Sequence, residues 1–209
     1  MSRKINVNKY RLALGVLVPL VIIGGFFSPY FGYAVPFTMI GAMAMAFSGR
    51  GRRFCGNYCP RGSFLDTWLR HLPSFKLKLP PVNKVRWYVT AGLMGLMVWR
   101  IAKNPTDLAY LGGVFWMMCL VTTGAALILA VLYRQRAWCM ICPIGTVSTV
   151  LKKTTHTIPV PEGCTSCKLC DKACPIALKP SEGIICSTEC LQCGVCTAVC
   201  PKTRKKKAA

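Results

Sequence analysis

Within the last fifty residues one cysteine spacing is written twice: Cys164-x2-Cys167-x2-Cys170-x3-Cys174-Pro175 and Cys190-x2-Cys193-x2-Cys196-x3-Cys200-Pro201. A single Cys-x2-Cys is common to zinc sites and redox thiols. The doubled run constrains the chain far more. Each x2 step returns the backbone by about one turn, so three thiolates on a tight loop can cap three irons of one cubane. The fourth cysteine lies a helical turn away and faces the other cubane, while the proline after it redirects the chain. The expected sets are Cys164, Cys167, Cys170 and Cys200 around one [4Fe–4S] cluster, and Cys190, Cys193, Cys196 and Cys174 around a second. A pair of structural zinc sites would also use four thiolates each, but does not call for the x3-Cys-Pro ending.

Composition then divides the chain. An apolar content of 53% exceeds that of an ordinary soluble domain, so a membrane part is expected. Fourteen cysteines would suggest disulfides in a small secreted chain. With eight already in cluster runs, a reducing compartment and cluster chemistry account for them better. The net charge of +21 would permit nucleic-acid binding. The basic residues flank apolar runs rather than forming an aromatic-interleaved face, so nucleic acid is not an expected partner.

Four apolar runs cover about Leu12 to Phe27, Tyr33 to Phe47, Trp87 to Ile101 and Val114 to Tyr133. The first follows Arg3, Lys4, Lys9 and Arg11, as in a signal peptide, but no Ala-x-Ala-like cleavage site follows it, so it reads as a retained anchor bent near Pro19. The first two runs are slightly short for spans, which leaves a re-entrant hairpin open beside a two-helix hairpin. If both termini and the connection from Ser48 to Arg86 are cytoplasmic, only Arg100 and Lys103 lie near the far side. That charge bias predicts four spans with both ends inside.

The expected fold is therefore an α-helical membrane domain over 1–151, built as two repeated hairpins. A linker over 152–161 and a small α+β bacterial-type 2[4Fe–4S] ferredoxin domain over 162–201 follow, with a basic tail over 202–209 lying on anionic headgroups.

The membrane half repeats itself. After the first hairpin comes Arg53-Phe54-Cys55-Gly-Asn-Tyr-Cys59-Pro60-Arg-Gly62-Ser63, and after the second Arg136-Ala-Trp138-Cys139-Met-Ile-Cys142-Pro143-Ile-Gly145-Thr146. Both read aromatic, Cys, two or three residues, Cys-Pro, one residue, Gly, Ser/Thr. Ser63-x-x-Asp66 resembles a capping box, and Leu65, Trp68, Leu69 and Leu72 make one apolar face of an interfacial helix. Related by a pseudo-two-fold axis, the motifs would bring Cys55, Cys59, Cys139 and Cys142 together. Those four thiolates could hold a third iron–sulfur cluster; structural thiols, a dithiol pair in each motif and a single metal ion are the alternatives. Cys119 reads as a packing residue and Cys186 as a thiol near the second run.

Four spans, two Cys-Pro motifs and a C-terminal two-cluster run resemble the NapH type of membrane quinol dehydrogenase. The same core is similar to the C-terminal part of NosR-type proteins and of 4Fe-4S polyferredoxins. The resemblance implies electron transfer between the quinone pool and a partner redox protein, with quinone or quinol as the lipid-soluble carrier. It places the chain in a bacterial or archaeal cytoplasmic membrane with the ferredoxin domain cytoplasmic. Quinol chemistry also needs proton acceptors near the interface. His71, Asp66 and Tyr58 are candidates, although each type commonly sits there as an ordinary polar or aromatic residue. A redox assembly or regulatory factor, reducing a metal or sensing redox state, is the competing function class; a purely structural anchor is a third.

Overall fold

A computed structural model describes residues 9–50, 52–69, 82–151, 164–182 and 190–206. His71, Leu72, the 152–161 linker, Cys186 and the end of the basic tail lie outside them. Helix α1 (Lys9–Phe27) runs unbroken through Pro19. A 3-10 turn (Pro29–Tyr33), α2 (Ala34–Met45) and a π-type turn (Ala46–Arg50) continue the same apolar stretch, which ends at Gly49. There φ is 73°, a left-handed turn that glycine adopts without steric cost. Short α3 (Arg53–Asn57) and α4 (Pro60–Trp68) carry the first Cys-Pro motif. Helices α5 (Val82–Lys103) and α6 (Leu108–Leu132) form the second hairpin, and α7 (Trp138–Ile141) and α8 (Pro143–Leu151) carry the second motif.

Among the described residues, three stretches are long and apolar enough to cross a membrane: Tyr10–Phe27, Pro29–Gly49 and Leu108–Leu132. Their apolar side chains face outward, with Phe27 88%, Phe37 80% and Ile128 62% exposed. Such a belt fits lipid rather than water. The expected third span falls on α5, whose 22 residues reach about 33 Å but whose sequence is less apolar than the other three. Its far end has interfacial chemistry: the Lys103 ammonium lies 4.2 Å from the Trp99 ring centroid. Helix α6 starts six residues before the expected run. The Asp107 carboxylate accepts hydrogen bonds from the Ala109 and Tyr110 amides at 2.9 and 3.2 Å, and so caps it.

Close packing fixes the first hairpin against α6. A Cβ on Gly32 would overlap the Gly112 carbonyl, and one on Gly112 the Pro29 carbonyl, so two backbones touch where only glycine fits. Trp116 fills the space above Gly25 and donates its indole N–H to the Ile22 carbonyl at 3.0 Å.

The first motif departs from its expected form. Pro60 begins α4 and Cys59 occupies the cap position, so Ser63 lies inside the helix, 2% exposed, and caps nothing. Proline suits the first helical position because its missing N–H would be unpaired there anyway. The expected headgroup-plane face is buried in protein instead. Leu65 and Leu69 are 0% and 4% exposed and pack with Ala126, Ala130 and Trp138, while Trp68 faces outward.

The C-terminal segment comprises α9 (Leu169–Ala173), a 3-10 turn (Pro180–Glu182), α10 (Val195–Val199) and α11 (Pro201–Lys206). No β-strand occurs among the described residues, so the expected α+β character of 162–201 has no counterpart there. The cysteine spacing turns this backbone into loop and single-turn helix, and residues 183–189 lie outside the description.

Candidate iron–sulfur sites

All four Cys-Pro dipeptides obey one local rule. Cys59, Cys142, Cys174 and Cys200 each follow a short helix and have ψ of 118°, 132°, 121° and 121°. A following proline excludes the helical region, so the chain leaves each cysteine extended and re-aimed.

In the membrane half this rule brings the two motifs together. Cys55, Cys59, Cys139 and Cys142 line one cavity of about 100 Å3, whose walls also include Val18 of α1 and Val35 of α2. Burial pushes the Cys55 thiol up to about 12, with the neighbouring Cys59 adding repulsion and Arg52 opposing it. Burial likewise raises Cys139, against the pull of Arg136.

Buried cations surround these thiols. Arg52 donates to the Cys139 carbonyl, and Arg136 to the Cys55 carbonyl at 2.7 Å. Arg136 also holds Asp66 through contacts of 2.9 and 2.5 Å. Asp66, which Arg11 approaches at 3.8 Å as well, is thus committed to ion pairs. Tyr58 is 44% exposed and packs on Tyr10 and Phe54. Cys119 lines the same cavity, 3.8 Å from the Arg61 guanidinium. Cys119 is buried, as expected of a packing residue.

An iron–sulfur cluster fits this cavity on chemical grounds. Two buried donors, Arg61 Nε and Trp138 Nε1, have no acceptor among the described residues, and both belong to cavity-lining residues. A thiolate-ligated cubane is anionic and rich in acceptors, and meets both needs. A single metal ion on the same four thiolates is the alternative.

The C-terminal cysteines lie in two neighbouring groups. Cys164, Cys167, Cys170 and Cys200 line a second cavity, of about 60 Å3, which Cys196 also borders. Cys174 instead lies with Cys190, Cys193 and Cys196. Burial raises all three thiols, Cys196 to about 11, and the charge of Cys174 contributes in each case. Cys200 is half-buried, and the Thr203 amide and hydroxyl lower its thiol.

Backbone conformation repeats between the loops. Ser166 and Lys168 flank Cys167 at φ 48° and 54°; Gln192 and Gly194 flank Cys193 at 50° and 71°. Non-glycine residues in this region each cost about 1–2 kcal/mol, so the geometry must be held by its surroundings. In the second loop the Gln192 amide donates to the Cys190 sulfur at 3.4 Å.

The second loop rests directly on the first motif. A side chain on Gly56 would overlap the Leu191 carbonyl, and Asn57 donates to the Gln192 carbonyl at 3.2 Å. Arg11 steadies Asn57 at 2.8 Å, and Arg134 reaches the Cys174 carbonyl at 3.4 Å. Cys55, Cys139, Cys174, Ile176 and Leu191 form one buried core, with Cys193 packed against it.

Sequence reading missed Arg52 and Gly145 as site residues. The signal was present: an arginine stands three places before the first cysteine, and a glycine three after the second, in both motifs.

Comparison with known proteins agrees with the thiol chemistry. A family described as "4Fe-4S binding domain" matches residues 31–80 and 113–158. The first segment contains Cys55 and Cys59, the second Cys139 and Cys142. Uncharacterized protein MJ0749 of Methanocaldococcus jannaschii is 30% identical over 177 residues, covering 79% of this chain and 67% of the relative. Uncharacterized protein MJ0750 of the same organism is 26% identical over 170 residues, covering 73% and 70%. No solved structure matches the chain.

Proposed function

Because this chain belongs to the same family as protein MJ0749 and carries a 4Fe-4S binding domain in two segments, we propose that it is a membrane-anchored electron-transfer protein linking the quinone pool to a partner redox protein. One observation carries this reading. Four thiols line a single cavity between apolar helices, and two of them, Cys55 and Cys139, share a buried core with Cys174 and Cys193 of the C-terminal segment.

In this reading Cys55, Cys59, Cys139 and Cys142 hold one cluster, and the two C-terminal sets hold one [4Fe–4S] cluster each. Cubanes accept and donate one electron at a time with little rearrangement. The protein's part is to arrange the sets in series. Cys174 and Cys193 of the second set pack with Cys55 and Cys139, while Cys196 of that set borders the cavity of Cys164, Cys167, Cys170 and Cys200. Residues 162–201 act as the ferredoxin unit. Helix α5 serves as the third of four spans, with both termini and both Cys-Pro motifs on the cytoplasmic side, where the basic residues concentrate. This arrangement resembles that of NapH- and NosR-type membrane proteins, and a lipid-soluble quinol is the carrier this reading assigns to the membrane thiols.

Treating isolated membranes anaerobically with a short-chain quinol tests the reading. Reduction of the clusters by quinol, to at least half the extent reached with dithionite, is the expected result. Reduction by dithionite alone would contradict the quinol role and favour a redox assembly or sensing factor.

A further inference from the structure

The two Cys-Pro motifs repeat closely and differ in length at one place. The second has two residues between its cysteines, Met140 and Ile141, and the first has three, Gly56, Asn57 and Tyr58. The C-terminal segment meets the first motif at that difference. A Cβ on Gly56 would overlap the Leu191 carbonyl and lie 3.2 Å from the Cys193 Cα. Gly56 lies within α3 and its φ is not positive, so the helix itself would accept alanine. The close approach of a second backbone is what requires glycine here.

Asn57 fastens the same contact. Its amide nitrogen donates to the Gln192 and Arg53 carbonyls, each at 3.2 Å, and its oxygen accepts from Arg11 at 2.8 Å. Arg11 also reaches the Gly56 carbonyl at 3.3 Å. One side chain thus joins α1, α3 and the loop before α10.

The place of this contact in the chain gives it a use. Gly56 directly follows Cys55, and Leu191 directly follows Cys190. The touching residues are therefore each one peptide bond from a thiol, one of the membrane set and one of the second C-terminal set. Leu191 is 1% exposed and shares a buried core with Cys55, Cys139 and Cys174, against which Cys193 packs. Arg134 adds a second tie, donating to the Cys174 carbonyl at 3.4 Å. Coupling between two redox centres falls steeply as the gap between them widens, so position is what the fold supplies.

We infer that Gly56 and Asn57 are positioning residues that seat the second C-terminal set against the membrane set, and that this contact is the junction across which electrons pass between the two clusters. The inference rests on the proposed membrane cluster, and is independent of quinol as its reductant. At the junction one electron leaves the reduced cluster and enters the oxidised one. No bond forms or breaks, and no proton moves.

The test uses the full chain, purified anaerobically, mixed in its oxidised state with dithionite and frozen at intervals for electron paramagnetic resonance. Dithionite, a water-soluble reductant, meets the set whose Cys164 and Cys167 are exposed, and electrons then reach the membrane cluster through the second set. Gly56→Ala is expected to keep about twelve irons per chain and the wild-type midpoint potentials. Its membrane cluster fills about tenfold more slowly than in the wild type, because the added methyl pushes the two backbones apart. The C-terminal clusters fill at the wild-type rate. In the fully reduced chain the magnetic splitting between the membrane cluster and its neighbour weakens, which a merely structural role would not produce with iron and potentials unchanged. Asn57→Ala adds no atom at the contact and slows filling less.

A wild-type filling rate in Gly56→Ala, with its irons retained, overturns the inference and leaves the cluster reading standing. Should Gly56→Ala lose irons, Asn57→Ala decides. Slower filling at wild-type iron and midpoints supports the inference, and a wild-type rate overturns it. Loss of iron in both variants makes the seat a packing element and overturns it as well. A wild-type count of about eight irons overturns both this inference and the cluster reading.

Discussion

Replacing Cys55 and Cys139 together by serine is expected to remove about four of about twelve irons per chain, leaving the C-terminal complement intact. The pair is chosen because these are the two most deeply buried thiols of the membrane set, at 9% and 8% exposure, and one comes from each motif. A hydroxyl does not replace a thiolate at iron, and losing one ligand from each side removes the link between the motifs. Iron and sulfide analysis, with the number of distinct paramagnetic signals, checks this. Retention of all wild-type iron would show that these thiols are structural.

Asp66→Ala is expected to destabilise the membrane half by about 3–5 kcal/mol. Arg136 is 2% exposed and bonded to both Asp66 oxygens, so removing the carboxylate strands a buried guanidinium. Chemical unfolding in detergent reads the loss. The double variant with Arg136→Gln, which removes both charges, should recover much of it. A loss below about 1 kcal/mol, the range of an exposed pair, would mean that Arg136 finds water or another partner on its own.

Local rules made much of this legible in the sequence. The doubled run marks Cys164, Cys167, Cys170 and Cys200 as one expected set, and these four line one cavity; the proline after Cys174 leaves that residue extended and re-aimed. The two Cys-Pro motifs were also readable as a repeat, and the four-thiol cavity lies where that repeat brings them. What stayed hidden depends on distant partners. Ser63 and Asp66 have capping-box spacing, yet Pro60 starts the helix earlier and Arg136, seventy residues away, claims the carboxylate. Leu65 and Leu69 look like a lipid-facing stripe, but α6 and Trp138 cover them. Arg52 reads as one more basic residue in a cytoplasmic loop. Only the pairing of the two motifs reveals that it is buried against Cys139. Periodicity reports how apolar a face is, and cannot say whether lipid or protein covers it.

The most direct test is the iron and acid-labile sulfide content of the wild-type full chain, purified from membranes without oxygen. The account predicts about twelve of each per chain, with three cubane signals after reduction. About eight of each would remove the membrane cluster, and a colourless chain holding zinc would contradict the whole account.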